Sequence, residues 1–287
     1  MLLNMNQLLK VANEKKFAVP AFNISSLPML NGVVKTCEEL NSPVILEIHP
    51  DELSYIGDSF VKTVLDKAYK TKIPVVVHLD HGASLAQVVR AIQDGFTSVM
   101  IDGSRLSFED NIELTKKVVD VAHLVDISVE AEIGTIGSDA SDQYGGSRDI
   151  TYTVPANAKR FIDETGCDTL AVAIGTAHGV YPKDFVPKLK LDLLSEIKEL
   201  VKIPLVLHGG SSNPDAEIAE AVNRGINKIN ISSDIKMAFH QKCREVLARS
   251  ESIREPNVIY PECTEAMCEV VKDKVCLFKA NDKVKFY

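Results

Sequence analysis

Polar and ionisable side chains gather at the ends of short apolar runs in this chain: Asn23, His49, Asp80 with His81, Asp102, Glu130 and Glu132, His178, His208, and Asn230 with Ser232. Such groups are costly to place beside an apolar core unless they are paired or bind a metal, so their recurrence points to a site. Five of the seven histidines (His49, His78, His81, His178 and His208) lie in or just after these runs, whereas His123 and His240 fall in helix-like stretches. Three imidazoles from separate strand ends can supply the three protein ligands of a catalytic zinc and leave one position open. His81, His178 and His208 are the natural trio. His78 shares strand parity with Asp80 but lies deeper, where a packed, hydrogen-bonded imidazole is the plain expectation.

A second signal concerns anions. HGGSS, with Gly209, Gly210, Ser211 and Ser212, follows one apolar run, and NISSD follows the next at the start of a helix carrying Ile235 and Phe239. Glycine lets backbone N–H groups approach an anion, while serine hydroxyls and a helix N-terminus add donors and positive potential. Two ordinary turns with a capping serine are the simpler alternative.

Eight runs have the length and β-branched content of buried strands: FAVPAFNI, PVILEIH, PVVVHLD, SVMIDG, SVEAEIG, TLAVAIG, PLVLHGG and KINISS. Helix-period segments lie between them, such as Leu30, Val33, Val34 and Cys37 behind Ser26, or Leu85, Val88, Val89 and Ile92 between Ser84 and Gly95. Eight alternating β–α units fit a right-handed parallel sheet closed into an α/β barrel, the TIM (β/α)8 barrel, better than an open doubly wound sheet. A barrel of ~250 residues accounts for nearly all of the 287, so residues 1–287 are expected to form a single domain. The first sixteen residues read as an amphipathic helix (Leu8, Leu9, Val11, Ala12) plugging the N-terminal mouth, and everything after Asp234 as a helical tail. The loop from Gly134 to about Thr153 follows a strand end, the catalytic mouth of such barrels, and is expected to be mobile.

A net charge of −8 offers no electrostatic footprint for nucleic acid or an anionic membrane. No apolar run approaches the ~20 residues of a membrane span, and the N-terminus lacks the basic start and small-residue cleavage site of a secretory signal. Six scattered cysteines without a C-x-x-C pair read as reduced thiols of a cytoplasmic protein.

The stretches VVHLDHGASL, MIDGS, VEAEIG, LAVAIGTAHGVY, PLVLHGGSS and KINISSDIKMAF, in collinear order over essentially the whole chain, resemble the class II, zinc-dependent ketose-bisphosphate aldolases, the fructose- and tagatose-bisphosphate aldolase family. The resemblance implies reversible cleavage of a ketose 1-phosphate or 1,6-bisphosphate to dihydroxyacetone phosphate and an aldehyde. It makes Asp80 the acid that exchanges a proton with the oxygen at the C3–C4 bond, and His81, His178 and His208 the zinc ligands. Asp102, Glu130 and Glu132 match family acids around the metal, where they would orient its ligands or offer an alternative metal position. Asn23, His49, Gly179, Gly209, Gly210, Ser211, Asn230, Ile231, Ser232 and Ser233 would receive the substrate, with Na+ or K+ near the phosphate. The family also implies a homodimer or homotetramer.

Four departures bear on the substrate. Glu255, Pro256 and Asn257 stand where the family carries Asp-Pro-Arg to grip a distal phosphate, with Arg254 next door. Losing a charge-assisted contact of that kind is worth about 2–4 kcal/mol. Ser232 replaces the Asp of fructose-specific members and the Ala of tagatose-type ones. His49 replaces a phosphate-contacting Ser. Ala140 falls at the position of the catalytic Glu in the loop, leaving Asp139 or Asp142 as candidate bases. Two other readings are a metal-dependent hydrolase on the same barrel, although Asn23 occupies the first strand where those enzymes place H-x-H, and a non-catalytic aldolase-like subunit.

Overall fold

The computed structural model describes residues 1–136, 150–179 and 187–287. Asp139, Ala140 and Asp142 lie outside the described residues, as does the middle of the loop expected to be mobile. In chain order the elements are α1 (Met5–Lys15), β1 (Val19–Asn23), α2 (Leu27–Glu39), β2 (Val44–Ile48), α3 (Pro50–Ile56), α4 (Asp58–Lys70), β3 (Val75–Gly82) and α5 (Leu85–Asp94). They continue as β4 (Ser98–Ile101), α6 (Phe108–Ala122), β5 (Ser128–Ile133), α7 (Pro155–Thr165), β6 (Thr169–Val172) and α8 (Leu191–Leu200). The last are β7 (Leu205–Leu207), α9 (Asp215–Asn223), β8 (Ile226–Ile231), α10 (Ser233–Leu247) and α11 (Pro256–Leu277).

The strands pair in parallel in sequence order, and β8 returns to β1 through Val19↔Lys228, Ala21↔Asn230 and Phe22↔Ile231, closing the barrel. All eight runs picked out by their apolar, β-branched composition are these strands. Their residues are buried on both faces, one toward the lumen and one toward the helices, which is why the runs look continuously apolar. The helix signals also correspond to real ends. Ser84 accepts from Gln87 N–H at the start of α5, and Gly95, at φ 97°, ends it in a left-handed conformation that costs glycine nothing. Ser26 precedes α2, although its side chain makes no capping bond and Pro28 in the first turn presets the helix instead.

The amphipathic start is α1, which buries Met5, Leu8, Leu9 and Ala12 against the N-terminal strand ends. Backbone bonds secure it: Leu3 N–H donates to Val75 O, and Asn6 N–H donates to Ser128 Oγ. Each large apolar side chain buried there contributes roughly 1.5–3 kcal/mol. The tail is α10 and α11, which pack on each other, with α11 also on α2. Among the described residues no helix is long and apolar enough to cross a membrane.

A polar cluster at the C-terminal mouth of the barrel

Strand alternation decides most of the site. Register neighbours around the barrel share a face: Asn23 pairs with Glu47, Glu47 with His78, His78 with Ser98, and Ser98 with Ser128. Two residues on from these, toward the C-terminal mouth, come Asp80 and Glu130, then Glu132 above Glu130. From β8 the same parity brings Lys228 and Asn230 inward.

His81 breaks the pattern. Following Asp80, it should face the helices, yet it lines the same cavity as Asp80. The cause is local: the β3–β4 register shifts between Leu79 and Gly82, and His81 has φ 49°. A bulge with a left-handed residue rotates one side chain onto its neighbour's face, and bulges of this kind recur beside active sites.

His81, His178 and His208 come together from β3, the segment after β6 and the end of β7. Each offers a ring nitrogen, and the three lie within 4.8 Å of one another. His81, Asp102 and Glu132 form a second such group. The ring centroids of His81 and His208 are 4.6 Å apart, and those of His81 and His178 5.0 Å. The rings are held from behind. His81 Nδ1 bonds Asp102 Oδ2 at 2.9 Å, and Asp102 accepts Ser104 N–H at 3.0 Å through its other oxygen. His208 Nε2 bonds Glu130 Oε1 at 2.8 Å. His208 Nδ1 is buried without a hydrogen-bond partner, as is Glu132 Oε2, 3.3 Å away. Leaving such atoms unpaired costs about 1–3 kcal/mol each, so they fit an ion-binding purpose.

Asp80 is fixed on both sides: Asn23 Nδ2 donates to Oδ2 at 2.9 Å and Asn230 Nδ2 to Oδ1 at 3.1 Å. Burial favours its neutral form, but His81, His208, Lys228 and the Asn23 bond outweigh this and hold the carboxyl well below the usual range. Burial likewise penalises a charged His208, yet the Glu130 and Glu132 contacts lift it to about 10. Burial and the neighbouring imidazoles His81 and His208 push His178 down to about 3, leaving it neutral with a lone pair available.

Glu130, expected among the acids around the metal, is fully buried one layer below the histidine trio. Its two-residue offset from Glu132 keeps the same face but a lower level, where it receives Lys228 Nζ at 2.8 and 3.0 Å. Lys228 Nζ also lies 2.7 Å from Glu47 Oε1. Burial raises Glu47 to about 8 despite that cation. His78 bonds Ser98 Oγ at 2.8 Å through Nδ1, the packed imidazole expected of it.

The mouth is a cavity of about 800 Å³. Asn23, His49, Asp80, His81, Asp102, Glu132, His178, Gly179, Gly209, Ser211, Asn230, Ser232 and Ser233 all line it. Gly210 and Ile231 do not: Gly210 N–H bonds Asn230 O, a Cβ there would meet Ile229 Cγ2 at 2.4 Å, and Ile231 is core. Gly209, at φ 61°, turns the chain so that Ala177 O lies 2.6 Å from where a Cβ would stand, a close approach that needs glycine. Behind the loop, Asp234 receives Ser212 N–H at 3.1 Å and Lys274 Nζ of α11 at 3.0 Å.

Several cavity residues were not anticipated. Glu52, Arg105 and Lys236 line the wall, and Lys228 and Glu47 lie beneath it. For the last two a signal existed: each is a charge inside an apolar run, at the parity of a site residue two positions on.

The sequence matches the family described as fructose-bisphosphate aldolase class-II over residues 3–283. The chain belongs to that family. It is an aldolase, a carbon–carbon lyase. It is 42% identical over 268 residues to the D-tagatose-1,6-bisphosphate aldolase subunit GatY of Klebsiella oxytoca, covering 93% of each chain. Its fold is shared with the crystal structure of the YdjI aldolase from Escherichia coli K12, at a TM-score of 0.85 and 32% identity, over 99% of this chain and 100% of that one.

Proposed function

We propose that this aldolase reversibly cleaves a ketose 1-phosphate or 1,6-bisphosphate to dihydroxyacetone phosphate and an aldehyde, with the tagatose- or fructose-bisphosphate type as the default substrate. The observation that carries the site assignment is the convergence of three imidazole nitrogens within 4.8 Å of one another beside a pinned carboxylate, with the buried Nδ1 of His208 making no hydrogen bond and only an ion-pair contact to Glu132. His81, His178 and His208 would hold a divalent ion, with zinc suited to a three-imidazole set. When bound, zinc supplies Lewis-acid polarisation of the ketone and hydroxyl oxygens.

The chain's own residues divide the remaining work. Asp80, anionic and oriented by Asn23 and Asn230, takes the C4 hydroxyl proton as the C3–C4 bond breaks and returns it in the condensation direction. Asp102 and Glu130 hold the tautomers and orientations of His81 and His208. Gly179, Gly209, Ser211, Asn230, Ser232 and Ser233, at a glycine turn and the N-terminus of α10, receive the phosphate, aided by Na+ or K+. GatY is named for tagatose 1,6-bisphosphate, which supports the default. The protein is proposed to work in the cytoplasm, consistent with six free cysteines. It is further proposed to assemble as a homodimer or homotetramer, with exposed Leu27, Val258 and Tyr260 as apolar contacts.

The test is release of dihydroxyacetone phosphate from tagatose and fructose 1,6-bisphosphates by zinc-loaded protein, together with exchange of the C1 proton of dihydroxyacetone phosphate. The absence of both release and exchange from fully metallated protein would refute the proposal.

A further inference from the structure

On one side of the cavity, α3 and α10 meet through an ion pair: Lys236 Nζ lies 2.5 Å from Glu52 Oε1. Both residues line the cavity, and the Glu52 side chain is only 14% exposed. Glu52 is tethered twice, because Oε2 also accepts His49 N–H at 3.2 Å as half of the capping box that starts α3. The other half fixes His49: its Nδ1 accepts Asp51 N–H at 3.2 Å, so the neutral ring carries its proton on Nε2. The His49 ring also lines the cavity, 6.2 Å from that of His81. The wall therefore presents a fixed anion, a cation already paired to it, and an imidazole whose remaining nitrogen can donate, with the exposed Asp51 carboxylate and Arg105 also on the lining.

We infer that Glu52, Lys236 and His49 form the acceptor subsite, and that they select an aldehyde with an uncharged, hydroxylated chain over one ending in phosphate. The inference rests on the proposed dihydroxyacetone phosphate chemistry and, within it, favours a ketose 1-phosphate over the default bisphosphate as the substrate. A phosphate dianion binding Lys236 would have to share that cation with Glu52, setting a second negative group beside a mostly buried carboxylate, a costly arrangement. Hydroxyls meet both signs at once, donating to Glu52 while accepting from Lys236 Nζ and His49 Nε2–H. Arg105 is a further cation of the cavity and the group through which a phosphate would bind if this reading is wrong.

The experiment compares kcat/KM for condensation of dihydroxyacetone phosphate with D- and L-glyceraldehyde, their 3-phosphates and propanal, using zinc-loaded wild type, Glu52→Gln and Lys236→Met. Wild type is expected to favour a glyceraldehyde at least tenfold over the corresponding phosphate and over propanal. Glu52→Gln keeps the amide oxygen for the cap but removes the anion, and is expected to shift the ratio toward phosphate at least tenfold. Lys236→Met is expected to lose rate with glyceraldehyde and to gain none with the phosphate. A tenfold wild-type preference for the phosphorylated aldehyde, or a ratio unmoved by both substitutions, overturns the inference. C1 proton exchange on wild type without any aldehyde separates the two readings: its absence removes the underlying chemistry, whereas exchange with the wrong acceptor preference removes only this subsite.

Discussion

Asp80 and His81 are consecutive in β3, yet both side chains face one cavity, with Asp80 Oδ1 3.8 Å from His81 Nε2. Regular alternation forbids this, and the bulge with its left-handed His81 permits it. The juxtaposition places a proton-accepting carboxylate beside the imidazole cluster without a contribution from another strand.

Asp80→Asn preserves the volume and one acceptor oxygen but removes the base. Turnover is expected to fall by roughly 10²–10⁴, the usual contribution of a positioned acid–base group. Bound metal, measured by atomic emission, should be unchanged. A variant retaining full turnover would reassign the proton-transfer role.

Removing the ion should also be visible without any substrate. A ligand that binds only the folded state at 100 times its dissociation constant adds about 2.7 kcal/mol of stability. Chelator treatment is therefore expected to lower the midpoint of thermal unfolding, and added zinc to restore it. His178→Ala should flatten that response, and a zinc-dependent midpoint as large as wild type in this variant would contradict the ligand set.

Lys228→Met leaves Glu130 without its cation while keeping the side chain's bulk. Breaking one partner out of a buried pair costs roughly 3–5 kcal/mol, to be read by urea unfolding. Because Glu130 orients His208, metal affinity measured by chelator competition should weaken about 10- to 100-fold. Adding Glu130→Gln to Lys228→Met should recover part of the stability, since the orphaned charge is then gone, and additive losses would show that the pair does not act as a unit.

Lys198 gives the pH prediction. Its Nζ is half-buried, donating to Asn13 Oδ1 at 2.9 Å and Ile203 O at 3.2 Å; burial, aided by the charge of Lys202, lowers it from 10.5 to about 8. Below pH 8 the amine is charged in both folded and unfolded chains and the folded state bears the full penalty. Above 10.5 it is neutral in both and the penalty is gone. Between these values the unfolded chain binds more protons, so this group's contribution to stability rises with pH. At 1.36 kcal/mol per unit the gain relative to Lys198→Met is roughly 1–3 kcal/mol, measurable by urea unfolding at pH 7.5 and 10.5. A stability difference independent of pH would show that Lys198 is not penalised by burial.

The barrel was legible because a strand covered on both faces writes its period and length directly into apolar, β-branched residues. The histidine trio was legible because imidazoles at strand ends have few ordinary reasons to be there. The depth of Glu130 was not legible, since sequence shows which face a residue takes more readily than its level in a tilted strand. Lys228 and Glu47 were passed over inside runs read as apolar. Glu52 and Lys236 could not be paired in advance, because 184 residues separate them and only the closed ring brings α3 against α10. Gly210 and Ile231 came with a motif whose neighbours line the cavity while they themselves pack inward.

The lysine set between two glutamates has a consequence for the order in which the molecule assembles. Among the described residues that stack receives its lysine from the last strand, 98 residues after Glu130. Until that strand arrives, a chain emerging from the ribosome holds two acids in a half-built interior without their shared cation. The incomplete ring should therefore stay loose, and compaction should wait for the final β–α unit to snap into the gap beside the first.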